Sequence, residues 1–366
     1  MLVRGQKLRS LMLEEDGWAL RIVDQRRLPR ELVTVRLETV EQVAAAIRGR
    51  ALRGPVLCAV AAAYGVALAM RKDPDYTALE EACGTLRQAR PTAASLRMAL
   101  DMMRQRLGPL EPGLRERAAF ILAGQLCDDE IASTLTIGMN GLQAIGEAAT
   151  ERRRGQTVNI LLRGDAGWLT GIDLGPVSAA VYLCHDGGLP VHVWVAETRP
   201  LLDGSKLLAW ELAEHGVAHT IIADNAAPHL MQQGHIDMVL AGAEAITSDG
   251  DVCARIGTYG TALAARDCGI PFLVASPSSG IDFRLEDGPG SFIFEERPGE
   301  EVTRVIGEGG EIISVVPASG TRLVANPAHD VTPARLVTGL ITERGVIDAN
   351  RDAITRAFPE RVGRPG

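Results

Sequence analysis

From Thr157 onward the chain alternates between two textures, and few folds accommodate such alternation. Short β-rich apolar runs occur at 158–163 (VNILLR), 191–197 (VHVWVAE), 219–224 (HTIIAD), 237–244 (DMVLAGAE) and 271–277 (PFLVASP). Between them lie GPVSAAVYLCHDG, SKLLAWELAEHG, APHLMQQG and GTYGTALAARDCG, each of helical length with glycine at or near its end, where a left-handed residue closes a helix without side-chain strain. Strand–helix–strand repetition of this kind produces right-handed crossovers. The fold class expected is α/β, with a doubly wound parallel sheet.

The preceding part of the chain has a different pattern. Residues 11–37 contain a turn at EEDG, the alternating WALRIVD, a proline bend and LVTVRL, which predict a small antiparallel sheet. VEQVAAAIRGRALRG, at 40–54, has helical periodicity ending in glycine, and 59–150 is almost all helix-like. The division that follows is a smaller, mostly helical N-terminal domain with an antiparallel sheet at 1–153, and a ligand-binding domain at 154–366. Residues 284–311 read as a long charged loop.

Composition narrows the partners. The net charge of -8 argues against a nucleic-acid surface, which needs clustered Lys and Arg, but allows a small anion held by a few arginines. The six cysteines form no CxxC pair and the N-terminus MLVRGQKLRSL has no apolar signal segment, so a reducing cytoplasm is expected. No run of about 18 apolar residues is apparent, so no membrane partner is expected. The histidines show no metal-ligand spacing, GxGxxG is absent after the first strand, and RGDAG is too short for a phosphate loop. Neither metal nor cofactor is expected.

Sheets of this kind bind ligands beyond the carboxyl ends of their strands. Polar groups gather there: Arg163 and Asp165, Glu197 to Arg199, Asp224 and Asn225, Glu244, and Ser276 to Ser279. Glu244, partly desolvated, would have a raised pKa and could transfer a proton; the same carboxylate would equally serve as a loop cap. Arg255, Gly257 and Thr258 precede a helix whose free N–H groups suit a phosphate. Arg53-Gly54 and Arg90-Pro91-Thr92 interrupt helices, placing two arginines at breaks where they would contact anions or form surface salt bridges. Cys58 and Cys184 read as packing residues.

Five segments also carry a resemblance. RGPVLCAVAAAYGVALA (53–69), RPTAASLRMAL (90–100), ETRPLLDGSKLLAWEL (197–212), the stretch 237–282 around DMVLAGAEAITSDGDVCARIGTYGTALAARDCGIPF, and NPAHDVTPARLVTGLITERG (326–345) resemble the methylthioribose-1-phosphate isomerase family. That family shares a superfamily with ribose-1,5-bisphosphate isomerase and the regulatory subunits of translation initiation factor 2B. The resemblance covers nearly the whole chain from Leu37. It implies a Rossmann-like C-terminal domain, a site between the domains, a homodimer, and a cofactor-free aldose–ketose conversion of a sugar 1-phosphate.

Carried over residue by residue, Arg53 and Arg90 fall on the family's phosphate-binding arginines, with Pro55 where alanine is usual. Arg163-Gly164-Asp165-Ala166-Gly167 stands where the family has His-Cys-Asn-Ala-Gly, so Gly164 takes the position of the catalytic cysteine. Glu244 takes that of the catalytic aspartate, Asp203 that of a glutamine, and Ala254-Arg255 that of Asn-Lys. The resemblance thus implies Glu244 as a proton-transfer group; Asp165, one residue along the turn, would replace the missing cysteine, and Arg53, Gly54, Arg90, Arg163, Gly164, Asp203 and Arg255 would lie around the ligand. Three readings follow: an isomerase of a phosphorylated or otherwise anionic sugar, a lyase, hydrolase or transferase using Asp165 and Glu244, and a non-catalytic ligand sensor. Three carboxylates in one cleft would raise at least one pKa.

Overall fold

The computed structural model describes residues 1–150, 156–164, 166–286, 288–292, 295–307, 309–315 and 324–361. Its centre is a seven-stranded sheet in the order Gly345–Ile347, Gly339–Thr342, Phe272–Ala275, Met238–Gly242, Val158–Arg163, Val191–Ala196, His219–Ile222. All five expected strands are present and mutually parallel. The chain runs outward from Val158–Arg163 to one edge, then returns through Met238–Gly242 to the other. The order therefore reverses between those two strands, which opens a crevice at their carboxyl ends. There Arg163 pairs in register with Ala241, so the ends carrying Arg163 and Glu244 are neighbours.

Three features depart from the sequence expectations. The parallel sheet gains the Gly339–Thr342 and Gly345–Ile347 hairpin at one edge. A second sheet, ordered Ile281–Asp282, Ala245–Thr247, Val252–Arg255, His329–Thr332, shares a core with the first through Ile246, Val252, Ala254, Val239 and Val274. Residues 284–311 are also not one loop: they include short helices at Gly288–Ser291 and Glu300–Thr303, and Arg304–Ile306 pairs with Ile312–Ser314. The β-branched triplets Arg-Val-Ile and Ile-Ile-Ser flanking glycines are a hairpin pattern that the surrounding charges obscure.

In the N-terminal part, Leu11–Leu13, Leu20–Val23 and Thr34–Leu37 form the expected antiparallel sheet. Helix Pro55–Lys72 is apolar all round, and by length and composition it is long and apolar enough to cross a membrane, contrary to the expectation that no such run exists. Its apolar surface is already covered, because it packs among helices Val40–Arg48, Tyr76–Ala89, Ala94–Leu107 and Pro112–Thr150. A helix hydrophobic on every face is a core helix when protein surrounds it. Helix Pro112–Thr150 joins the two halves: Ala119, Ala123 and Cys127 lie in the helical core, and Ile137 and Ile145 in that of the parallel sheet. The expected boundary at 153/154 falls outside the described residues.

Candidate active site

Two arginines reach the strand ends from the helical layer at helix breaks, Arg53 just before a helix start and Arg90 at a helix end. Gly54 caps helix Pro55–Lys72 at φ 82°, and a Cβ there would stand 2.5 Å from Thr170 Cβ. Only glycine allows that close an approach to the Trp168–Thr170 turn. Arg53, just before it, is buried, and its Nη1 lies 2.6 Å from Asp203 Oδ1. Arg50 Nη2 is 3.4 Å from Oδ2 of the same carboxylate. Burial, then the charge of Arg255, brings the Arg50 guanidinium down to about 9 despite Asp203.

Arg90 follows helix Tyr76–Ala89 and grips Glu244 with both prongs, Nε to Oε1 at 2.8 Å and Nη2 to Oε2 at 2.6 Å. The Glu244 backbone N–H donates to Cys253 O at 2.8 Å, fixing the carboxylate beside the second sheet. Burial by itself would raise its pKa, as the sequence suggested. Instead the charge and hydrogen bonds of Arg90, with the charge of Arg255, outweigh burial and hold the carboxyl below its ordinary value. Of the three carboxylates expected to share one cleft, Glu244 and Asp203 each face their own arginines, and Asp165 lies outside the described residues. Cys58, read as packing alone, has its Sγ 3.7 Å from Arg90 Nη1 and so borders the site.

Arg163 is buried and engaged by the protein: Nη1 donates to Asp224 Oδ1, and Nη2 to Ile256 O at 2.5 Å. Asp224 in turn accepts from the backbone N–H groups of Thr198 and Arg199 at 3.0 and 2.7 Å. Arg163 thus braces three strand ends. Gly164 adopts φ 80°, and a Cβ on it would meet nothing closer than Arg255 Cβ and Cγ at 3.7 Å. Space exists there for a side chain, while the left-handed backbone favours glycine. Asp165 lies outside the described residues.

Arg255 ends strand Val252–Arg255, close to Gly164. The helix that follows, Thr258–Asp267, does not offer the free N–H groups expected for a phosphate. Asp330 accepts from Gly257 N at 2.6 Å and from Tyr259 N at 3.2 Å, so a protein carboxylate already complements the helix dipole. Asp203 borders two small cavities of about 10 Å³ each, one also lined by Arg255, Arg297 and Asn326, the other by Arg53, Gly164 and Glu211. Each admits about one water. The larger spaces, about 440 and 420 Å³, lie away from these groups along Met98.

Two further buried groups were missed. Glu211 accepts from Trp168 N at 2.7 Å, Leu169 N at 3.4 Å and Tyr182 Oη at 2.9 Å, supporting the Trp168–Thr170 turn from below. Burial drives its carboxyl up to about 7. His329 lies on strand His329–Thr332 opposite Arg255. A lone polar ring inside the apolar-flanked NPAHDVTPA was the available signal, and a search confined to metal spacing passes over it.

The sequence profile of the Initiation factor 2 subunit family matches residues 51–349. The chain belongs to that family. Among its relatives in the Initiation factor 2 subunit family, the methylthioribose-1-phosphate isomerase of Rhizobium meliloti (strain 1021) is 47% identical over 99% of this chain and 100% of its own. The protein of that name from Methylocella silvestris is 49% identical, again over 99% of this chain and 100% of its own. The crystal structure of 5-methylthioribose 1-phosphate isomerase from Pyrococcus horikoshii superposes with a TM-score of 0.82 at 32% identity, covering 97% of this chain and 96% of that one. The delta subunit of translation initiation factor eIF-2B from A. fulgidus gives 0.76 at 32% identity, covering 96% and 99%. The family thus places a Rossmann-like parallel sheet and a helical N-terminal region in enzymes and in translation factors alike, and fold alone does not choose between them.

Proposed function

We propose that the protein is an aldose–ketose isomerase, an intramolecular oxidoreductase, acting on methylthioribose 1-phosphate or a closely related sugar 1-phosphate. The observation that carries this reading is Glu244: a buried carboxylate at the topological switch point, kept ionised by Arg90, in a chain whose full-length relatives bear that enzyme's name. In an aldose 1-phosphate the anomeric oxygen is blocked, so isomerisation must open the ring by breaking the bond from C1 to the ring oxygen. Hydrogen then moves with its bonding pair from C2 to C1, the 2-hydroxyl loses its proton as C2 becomes a carbonyl, and the ring oxygen gains one. Glu244 is the base that takes the hydroxyl proton. Asp165 is proposed as the acid for the ring oxygen, in place of a cysteine at Gly164.

Arg53, Arg90 and Arg255 hold the phosphate, with Gly54, Arg163 and Gly164 shaping the floor and Asp203 bordering the sugar. Because Asp203 and Glu244 occupy Arg53 and Arg90 here, ligand entry requires those carboxylates to give way or share. The reading includes a homodimer in the cytoplasm. The same carboxylate-filled cleft also favours a second reading, a ligand sensor that binds sugar phosphate without turnover. NMR of the purified protein with methylthioribose 1-phosphate or ribose 1,5-bisphosphate separates the two. A ketose product supports the enzyme; tight binding with no product over hours overturns it and leaves the sensor. Gly164→Cys probes the turn: a Cβ there meets nothing closer than 3.7 Å, although the left-handed backbone strains it, and increased turnover would mean that the bare glycine limits the rate.

A further inference from the structure

His329 enters the site on a strand that returns after a long excursion. Its pairing partner is Arg255, Cα opposite Cα, so the two side chains lie on one face of the second sheet. The ring is 4% exposed, yet neither Nδ1 nor Nε2 has a hydrogen-bond partner among the described residues. A buried imidazole ordinarily gives its N–H to one acceptor and takes a bond at the other nitrogen. Leaving both empty works against folding, and an apolar ring would fill the same space without that penalty. The arrangement therefore calls for a partner that the described residues do not supply.

The neighbours define that partner's chemistry. The charged groups acting on the ring are Glu244, Arg255, Arg90 and Glu295, three of which belong to the site proposed for the ligand. Burial first, with Arg255 and Arg90 reinforcing it against the two glutamates, holds the ring neutral. A neutral imidazole offers one donor and one acceptor, in contrast to the purely donating arginines around it. A phosphate, which at neutral pH is chiefly an acceptor, uses only the first. A hydroxyl, or two neighbouring hydroxyls, uses both.

We propose that His329 is a further substrate-contacting residue, hydrogen-bonding the sugar hydroxyls beside Glu244 while the arginines hold the phosphate. The contact deepens the reading of the site as one for a sugar phosphate, but it does not depend on turnover. The test uses His329→Phe, which keeps the ring's bulk, and His329→Gln, which keeps a donor and an acceptor. Binding of methylthioribose 1-phosphate, ribose 1,5-bisphosphate and inorganic phosphate is measured by calorimetry, beside kcat, KM and thermal stability.

His329→Phe is expected to melt at or above the wild-type temperature and to bind inorganic phosphate within about twofold of wild type. Sugar phosphates should bind it about tenfold or more weakly, the usual order for one lost hydrogen bond to a buried group. His329→Gln should recover most of that loss. In the wild type, the ring ¹⁵N resonances missing from His329→Gln should shift on adding sugar phosphate. If His329→Phe binds sugar phosphates as tightly as wild type, or if the wild type binds none of them, the proposal is overturned. Should the Phe variant fail to fold, unchanged ¹⁵N resonances in the saturated wild type would overturn it as well. Binding that depends on His329 without any ketose product would instead overturn the isomerase reading and leave this contact standing.

Discussion

Glu211 and Glu244 are both withdrawn from water at the site, yet their pKa values move in opposite directions. Glu211 is fully buried and receives only neutral donors, two backbone N–H groups and the Tyr182 hydroxyl. Burial prevails over them and over the smaller effect of the Arg53 charge, and its carboxyl rises to about 7. Glu244 is nearly as buried, but its two oxygens face a guanidinium, with the charge of Arg255 behind it. There the cations prevail and the carboxyl falls. Desolvation makes a buried carboxylate sensitive to its neighbours, and the charge of those neighbours sets the sign. Glu244 is thereby an ionised base at neutral pH, while Glu211 is a partly protonated support for a turn.

The largest test of this contrast is Glu244→Gln. Removal of a general base costs about 10² to 10⁴ in rate, and the amide also leaves Arg90 buried without its counter-charge. Breaking a buried pair from one side destabilises by roughly 3–5 kcal/mol. Turnover should therefore disappear into the background, with a clear drop in the denaturation midpoint. An active Glu244→Gln would remove Glu244 from the chemistry and leave it a latch between the two layers.

Next in size is Arg90→Met, which should make Glu244 behave more like Glu211. With its principal cation gone, burial should prevail and the Glu244 pKa should rise. The wild-type rate should fall only as pH drops below the ordinary carboxylate value; in the variant that acid limb should move toward neutrality, on top of weaker phosphate binding. A profile measured on kcat at saturating sugar phosphate separates the two effects. An unmoved limb would mean that Arg255 suffices to keep Glu244 ionised.

These neighbourhoods mark what sequence could and could not reveal. The alternation after Thr157 is a local pattern, so it predicts the five parallel strands and their carboxyl edge, and Glu244 falls where a strand end meets a loop. Family likeness supplies Arg53 and Arg90 as site residues. That their partners are Asp203 and Glu244 is a matter of how two layers meet, and no local pattern records it. The expected rise in the Glu244 pKa failed for that reason, as did the expected phosphate site before Thr258, which Asp330 fills from a strand remote in sequence. Glu211 sits within the helical stretch SKLLAWELAEHG and looks solvated until Trp168, Leu169 and Tyr182 close over it.

The smallest expected effect is on stability alone. A carboxyl raised on folding contributes stability while it is protonated: fully below its unfolded value near 4.5, and progressively less as pH rises through about 7. Glu244, lowered on folding, works the other way: its contribution is present above the unfolded value and is lost as pH falls through its folded one. Between pH 5 and 8 only Glu211 of the two should change protonation, so it should give the wild type a decline of up to about 3 kcal/mol. Glu211→Gln keeps an acceptor for Trp168 and Tyr182, which share Oε1, and cannot ionise, so urea midpoints of the variant should lose Glu211's share of the slope, leaving that of Glu130, which burial also raises to about 7, and should exceed the wild type at pH 8. Catalysis should change little, because the amide still holds the turn. If the midpoint of Glu211→Gln declines between pH 5 and 8 as steeply as the wild type's, the titrating group lies elsewhere, and the contrast between the two glutamates loses its neutral-donor half.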